Sequence, residues 1–121
     1  MRTIRPEEGI RFDGLGVEVR RLVHPSTVGS DNLGVSLCIM QPGEAAARHR
    51  HDYEEAYFIV RGRGEMYLEG EASIRLEPGL SVYIAAGEVH GQVNDGDEPL
   101  EILCSLSPPP GEGREPQLVD E

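Results

Sequence analysis

The stretch that decides the reading is Gly43-Glu44-Ala45-Ala46-Ala47-Arg48-His49-Arg50-His51-Asp52-Tyr53-Glu54-Glu55-Ala56-Tyr57-Phe58-Ile59-Val60-Arg61-Gly62. His49 and His51 are two residues apart, and in extended chain that spacing turns both imidazoles to one face. Glu55 lies at an even offset from both and returns to that face if the intervening turn keeps parity. Two imidazoles and a carboxylate turned into a core are costly unless something satisfies them, and a divalent cation does so directly. Downstream, His90 follows Gly87-Glu88-Val89 and leads into Gly91-Gln92-Val93, the one credible source of a fourth ligand.

Around this stretch the chain is a series of short β-type runs divided by turn residues. The runs are Val17–Val23, Leu33–Met40, Glu55–Val60, Gly64–Leu68, Ser73–Leu76, Leu80–Ile84, His90–Val93 and Leu100–Leu106. Between them stand Gly62-Arg63-Gly64, Glu69-Gly70-Glu71, Glu77-Pro78-Gly79 and Asn94-Asp95-Gly96, all turn chemistry. No segment has the spacing of a long amphipathic helix. The pattern predicts an all-β sandwich or barrel, and closure of the sheet would hide its edges.

Composition agrees. The chain has 121 residues, with 15 Gly and 9 Pro, which argues for many turns and against a helical bundle. The size suits one domain able to build its own core. Net charge is −11, so nucleic acid and anionic membrane surfaces are not expected partners. The longest apolar run, Ala56–Val60, is too short to span a bilayer. Cys38 and Cys104 sit inside apolar segments and read as reduced core thiols. With no apolar stretch behind the early arginines, a secretory signal is not expected and the cytoplasm is the predicted location.

Two spaced motifs carry a resemblance. Gly43, His49, His51, Glu55 and Gly62 form the first, and Gly79, Ala86, Gly87, His90 and Asn94 form the second. In spacing and residue type they resemble the two motifs of the cupin superfamily, specifically its small single-domain members. The departure is Ala85, where that pattern usually carries proline, which predicts a looser turn before His90 with no ligand lost. The resemblance implies a double-stranded β-helix, that is, a jelly-roll β-barrel, with one divalent transition metal (Fe, Mn, Ni, Co or Zn) held by His49, His51, Glu55 and His90. It also implies a homodimer.

Three imidazoles and one carboxylate leave octahedral positions open for water and a bidentate ligand, unlike a closed structural zinc site. The expected function is therefore a small metalloenzyme, either a dioxygenase or an isomerase, lyase or decarboxylase. Its expected substrate is a small oxygenated acid or sugar derivative; the alternative is a non-catalytic ligand-binding or sensing cupin. By parity Tyr57 and Ile59 share the face of Glu55, and Gln92 that of His90, making Tyr57 and Gln92 the candidate catalytic residues. Tyr53 and Glu54 are placed at the rim, His24 in a surface loop, Tyr83 on the outer face, and Arg50 away from the ligand face. The expected division is an N-terminal arm over 1–12 that exchanges between copies, the barrel over 13–106, and a flexible Pro- and acid-rich tail over 107–121.

Overall fold

The computed structural model describes every residue except Glu112, Asp120 and Glu121. Among the described residues, eleven strands form two facing sheets and there is no α-helix. The strands are β1 (Ile10–Phe12), β2 (Glu18–Val23), β3 (Gly34–Met40), β4 (Ala45–Arg50), β5 (Glu54–Arg61), β6 (Gly64–Leu68), β7 (Ser73–Leu76), β8 (Ser81–Ile84), β9 (His90–Val93), β10 (Leu100–Ser107) and β11 (Gln117–Leu118). One sheet has the order β1-β2-β3-β10-β5-β8 and the other β11-β4-β9-β6-β7. Every strand pair is antiparallel, and the chain passes repeatedly from one sheet to the other, as in a jelly roll.

The core lies between the sheets. Met40, Ile59, Leu76, Leu100 and Ile102 are fully shielded there, with Met66, Tyr57 and Cys104 packed among them. Burying such side chains contributes about 1.5–3 kcal/mol each before entropy is counted. Alternation along β5 is strict, with Glu55, Tyr57 and Ile59 inward and Ala56, Phe58 and Val60 outward. In β3 the inward face is Gly34, Ser36, Cys38 and Met40, while Val35, Leu37 and Ile39 stand on the outer side. The more apolar face of that strand therefore points away from the barrel. Leu33, Phe58, Val60 and Tyr83 are also exposed, so the molecule carries apolar surface on its outside.

Local geometry fixes the connections that frame the site. Gly62 has φ +83°, and a Cβ there would lie 2.3 Å from the Pro99 carbonyl oxygen, so only glycine fits between β5 and β6. Asn94 is wholly buried and ties three chain segments together. Its Nδ2 donates to the Met40 and Glu98 carbonyls, both at 2.9 Å, and its Oδ1 accepts the Gly96 N–H.

Three strands went unforeseen in the sequence: β1, β4 and β11. In β4 the run Ala45-Ala46-Ala47-Arg48 lacks branched residues, and its pairing to β9 shifts register between Ala46 and His49. That shift lets Ala46 and His49, an odd number of positions apart, both face inward. The composition of 107–121 reads as a loose tail, but its described part is seated against the barrel. Pro109 and Pro110 are buried, β11 pairs with His49 and Arg50 of β4, and the Val119 N–H donates to the Arg48 carbonyl at 2.9 Å. Proline has little freedom to lose on ordering, and β4 offered an edge to pair with. The last two acids of the expected tail lie outside the described residues.

Candidate metal centre

Two sheets contribute to one buried cluster. His49 on β4 and His90 on β9 are direct cross-strand partners in the smaller sheet. Glu55 projects from β5 in the facing sheet, and His51 stands in the connection between β4 and β5. All four are buried, at 2%, 1%, 7% and 5% exposure respectively. The His49 and His90 rings are 4.2 Å apart and those of His51 and His90 5.1 Å. One ring nitrogen from each histidine lies within 4.8 Å of the others, an arrangement able to hold a metal ion.

The hydrogen bonds define which nitrogens face inward. Each Nδ1 meets a main-chain carbonyl two residues away: His49 to Ala47 at 2.8 Å, His51 to Tyr53 at 2.9 Å, and His90 to Glu88 at 3.0 Å. A carbonyl oxygen only accepts, so every Nδ1 carries the proton. Nε2 is then the nitrogen each ring turns toward the cluster, the usual arrangement behind a metal-ligating histidine. The Nε2 of His90 is buried without any hydrogen-bond partner. It sits 3.6 Å from Glu55 Oε1, and His51 Nε2 sits 2.8 Å from the same oxygen. That shorter contact joins two acceptors unless a positive charge intervenes, either a proton or a metal ion. The residues present therefore fit a divalent cation.

Electrostatics support ligation at neutral pH. Burial, reinforced by the nearby His90, lowers His49 to about 4, leaving it neutral and able to coordinate. Burial alone would raise the Glu55 carboxyl. The His51 and His90 rings beside it outweigh burial and hold the group at about 2.

The turn before His90 is pinned where proline is absent. The Ala85 N–H donates to Glu88 Oε1 at 2.7 Å, and the Glu88 N–H donates back to the Ala85 carbonyl at 3.2 Å. A proline there has no N–H to give. The Gly87 N–H donates to the His51 carbonyl at 2.8 Å, so the two motifs are tied directly.

Tyr57 and Gln92 both face the interior, as parity predicts, and meet: Tyr57 Oη lies 3.5 Å from Gln92 Oε1. Burial raises the Tyr57 phenol well above its ordinary value, so it stays neutral and acts as a donor. Tyr53 is not at the rim. It is 2% exposed and stacks flat on His51 at 4.0 Å, with Glu54 outside pairing Tyr83. His24 is also buried: its Nδ1 accepts the Ser26 N–H and its Nε2 donates to the Pro110 carbonyl at 2.5 Å. Arg21 escaped sequence analysis. Its signal was parity, since Val17, Val19 and Arg21 alternate onto one face of the chain entering β2.

A small cavity of about 50 Å³ beside His49, His51 and Glu55 is bounded by Phe12, Leu15, Arg21, Tyr53, Pro110 and Pro116. On the other side of the cluster, His90 lines a groove of about 440 Å³ between β7 and β8, walled by Met66, Leu68, Ile74, Val82 and Ile84.

Such a jelly roll with a buried histidine cluster between its sheets defines a class, and the comparisons with known proteins agree. Residues 36–106 match the family model described as "Cupin domain", and the chain belongs to that family as a small single-domain cupin. It is 38% identical over 95 residues to Polyketide synthase CurC of Streptomyces cyaneus, covering 77% of this chain and 60% of CurC's length. An uncharacterized protein of Methanocaldococcus jannaschii is 34% identical over 95 residues, covering 78% of this chain and 75% of that protein. Among solved structures, the polyketide cyclase RemF of Streptomyces resistomycificus superposes with a TM-score of 0.81 over all of this chain and 87% of RemF. At 18% identity that likeness shows the fold alone.

Proposed function

We propose that the protein is a small metalloenzyme whose single divalent transition metal (Fe, Mn, Ni, Co or Zn) is held by His49, His51, His90 and Glu55. The observation that carries this reading is the missing positive charge. Three Nδ1 atoms are committed as donors, the Nε2 atoms of His51 and His90 face the Glu55 carboxylate, and His90 Nε2 is left unpartnered. Bound there, such a metal acts as a Lewis acid on a chelating oxygen and lowers the pKa of a coordinated water.

The chain's own residues do the remaining work. The carbonyls of Ala47, Tyr53 and Glu88 hold the rings in the tautomer that coordinates. Tyr57 and Gln92 lie beside the cluster, where the phenol's proton can be directed to a substrate oxygen as charge develops on it. Tyr53, Leu15 and the flanking prolines keep the site poor in water, which strengthens each of these interactions.

The substrate class is a small oxygenated acid, sugar derivative or polyketide, and the reaction class an isomerase, lyase, decarboxylase or dioxygenase. The relative CurC, by its printed name a polyketide synthase, favours a polyketide. The apolar outer surface bearing Leu33, Phe58, Val60 and Tyr83 suits a second copy of the chain, giving a homodimer.

The test is elemental analysis of protein purified without chelator, then a panel of small acids, sugars and polyketides with the metal found. About one metal per chain with anaerobic turnover is expected from the non-oxidative reading. Turnover that consumes dioxygen selects the dioxygenase, and absence of stoichiometric metal overturns the centre.

A further inference from the structure

Arg21 is an arginine on an inward-facing position of a barrel strand, and it is 8% exposed. Its guanidinium stacks over the Phe12 ring at 4.3 Å. Both Nη groups meet one carboxylate in a fork, Nη2 to Glu115 Oε1 at 2.6 Å and Nη1 to Oε2 at 3.3 Å. The same side chain borders the cavity that His49, His51 and Glu55 line, and it is the one lysine or arginine among the described residues that does so.

Three features go beyond a structural latch. A guanidinium inside a barrel costs desolvation that a latch at the surface avoids, and the same segment already has a surface pair in Arg114 and Asp52. Glu115 is the exposed member of its pair, at 45% against 9% for Arg21, so solvent and solutes reach the anion far more than the cation. The cavity, at about 50 Å³, is well below the roughly 300 Å³ of a small-molecule pocket. Admitting a ligand by this side therefore means moving the segment that carries Pro110, Glu115 and Pro116, which strips Arg21 of its partner.

We propose that Arg21 is the anion anchor of the pocket: it takes a carboxylate of the bound small molecule, and Glu115 occupies that place as an internal stand-in until the ligand displaces it. The assignment rests on the reading of this cavity as the small-ligand site beside the histidine cluster. It narrows the substrate to one bearing a carboxylate, held by a planar fork that a lysine does not reproduce. In a chain of net charge −11, such an anchor offsets the general repulsion of an anionic ligand.

The test uses the full chain stripped of metal, so that a carboxylate has no metal to bind. Propionate and its uncharged isostere propionamide are titrated and followed by NMR shifts. Glu115→Gln is expected to tighten propionate binding about tenfold, because the competing carboxylate is gone. Arg21→Gln should abolish propionate binding, Arg21→Lys should weaken it, and neither variant should alter propionamide. Circular dichroism checks the fold; if Arg21→Gln fails to fold, Arg21→Lys and Glu115→Gln carry the test. Unchanged or weaker propionate binding in folded Glu115→Gln, or parental binding in folded Arg21→Gln or Arg21→Lys, overturns the anchor. Metal content is measured in parallel: metal bound with no gain in Glu115→Gln removes the anchor alone, whereas a gain without metal removes the centre and keeps the anchor.

Discussion

The histidine cluster is approached from two sides that differ in nearly every respect. On one, Phe12, Pro110 and Pro116 close over a cavity of about 50 Å³ bordered by Arg21, which pairs with Glu115. On the other, β7 and β8 remain unpaired with each other, leaving a groove of about 440 Å³ lined by Met66, Leu68, Ile74, Val82 and Ile84. The closed side is assembled from the chain ends and held by specific polar contacts. The open side is a gap in the jelly roll with aliphatic walls. One side thus presents charge, the other apolar area.

The largest test strikes where the two sides meet. His51→Ala should reduce bound metal from about one per chain to a small fraction while far-ultraviolet circular dichroism stays β-type; full occupancy in that variant would refute the ligand set. On the groove side, Met66 is 1% exposed and belongs to the core. Met66→Ala should therefore cost about 2–5 kcal/mol in urea unfolding, and a loss below 1 kcal/mol would mean the groove wall is not part of the core.

Acid should act through the cluster rather than through either wall. In the metal-free protein, His49 is lowered from 6.5 to about 4, so the folded state holds fewer protons than the unfolded one in that window. Stability from this residue is complete above pH 6.5 and falls by about 3 kcal/mol as pH drops to 4. Glu55, lowered from 4.5 to about 2, acts in the same direction between those values. Denaturant midpoints that stay flat from pH 7 to 4 would contradict the buried neutral imidazole.

The smallest effect belongs to the rim. Arg75 pairs with Asp95 and Glu65 at the solvent-exposed surface, and Arg75→Ala should leave the urea midpoint close to its parental value. A clear fall in that midpoint would extend the ordered network beyond the site.

Much of this was legible in the residues. Alternation in β5 placed Glu55, Tyr57 and Ile59 together, and the structure keeps them so. Turn residues located most strands to within a residue or two. Legibility failed where pairing partners, not composition, decide. Ala45–Arg50 lacks strand-type side chains, yet it is a strand because β9 and β11 flank it. The Pro-rich end looked unable to repay ordering, yet Arg21, His24 and β4 gave it partners. Tyr53 looked like a rim residue because its stacking surface, the His51 ring, is set by a turn whose path no local rule gives.

The sequence by itself determined the all-β class, the inward parity of the acidic and aromatic side chains on β5, and the pair of motifs that mark a cupin. These follow from the two-residue period of a strand and the conformational needs of glycine turns, which are local properties. Only the tertiary structure decided that three Nδ1 atoms are tied to carbonyls while the Nε2 atoms of His51 and His90 meet one carboxylate, and that Arg21 is paired from the far end of the chain. Those are contacts between segments up to 94 residues apart, and their energies depend on burial that exists only once both sheets have closed on each other.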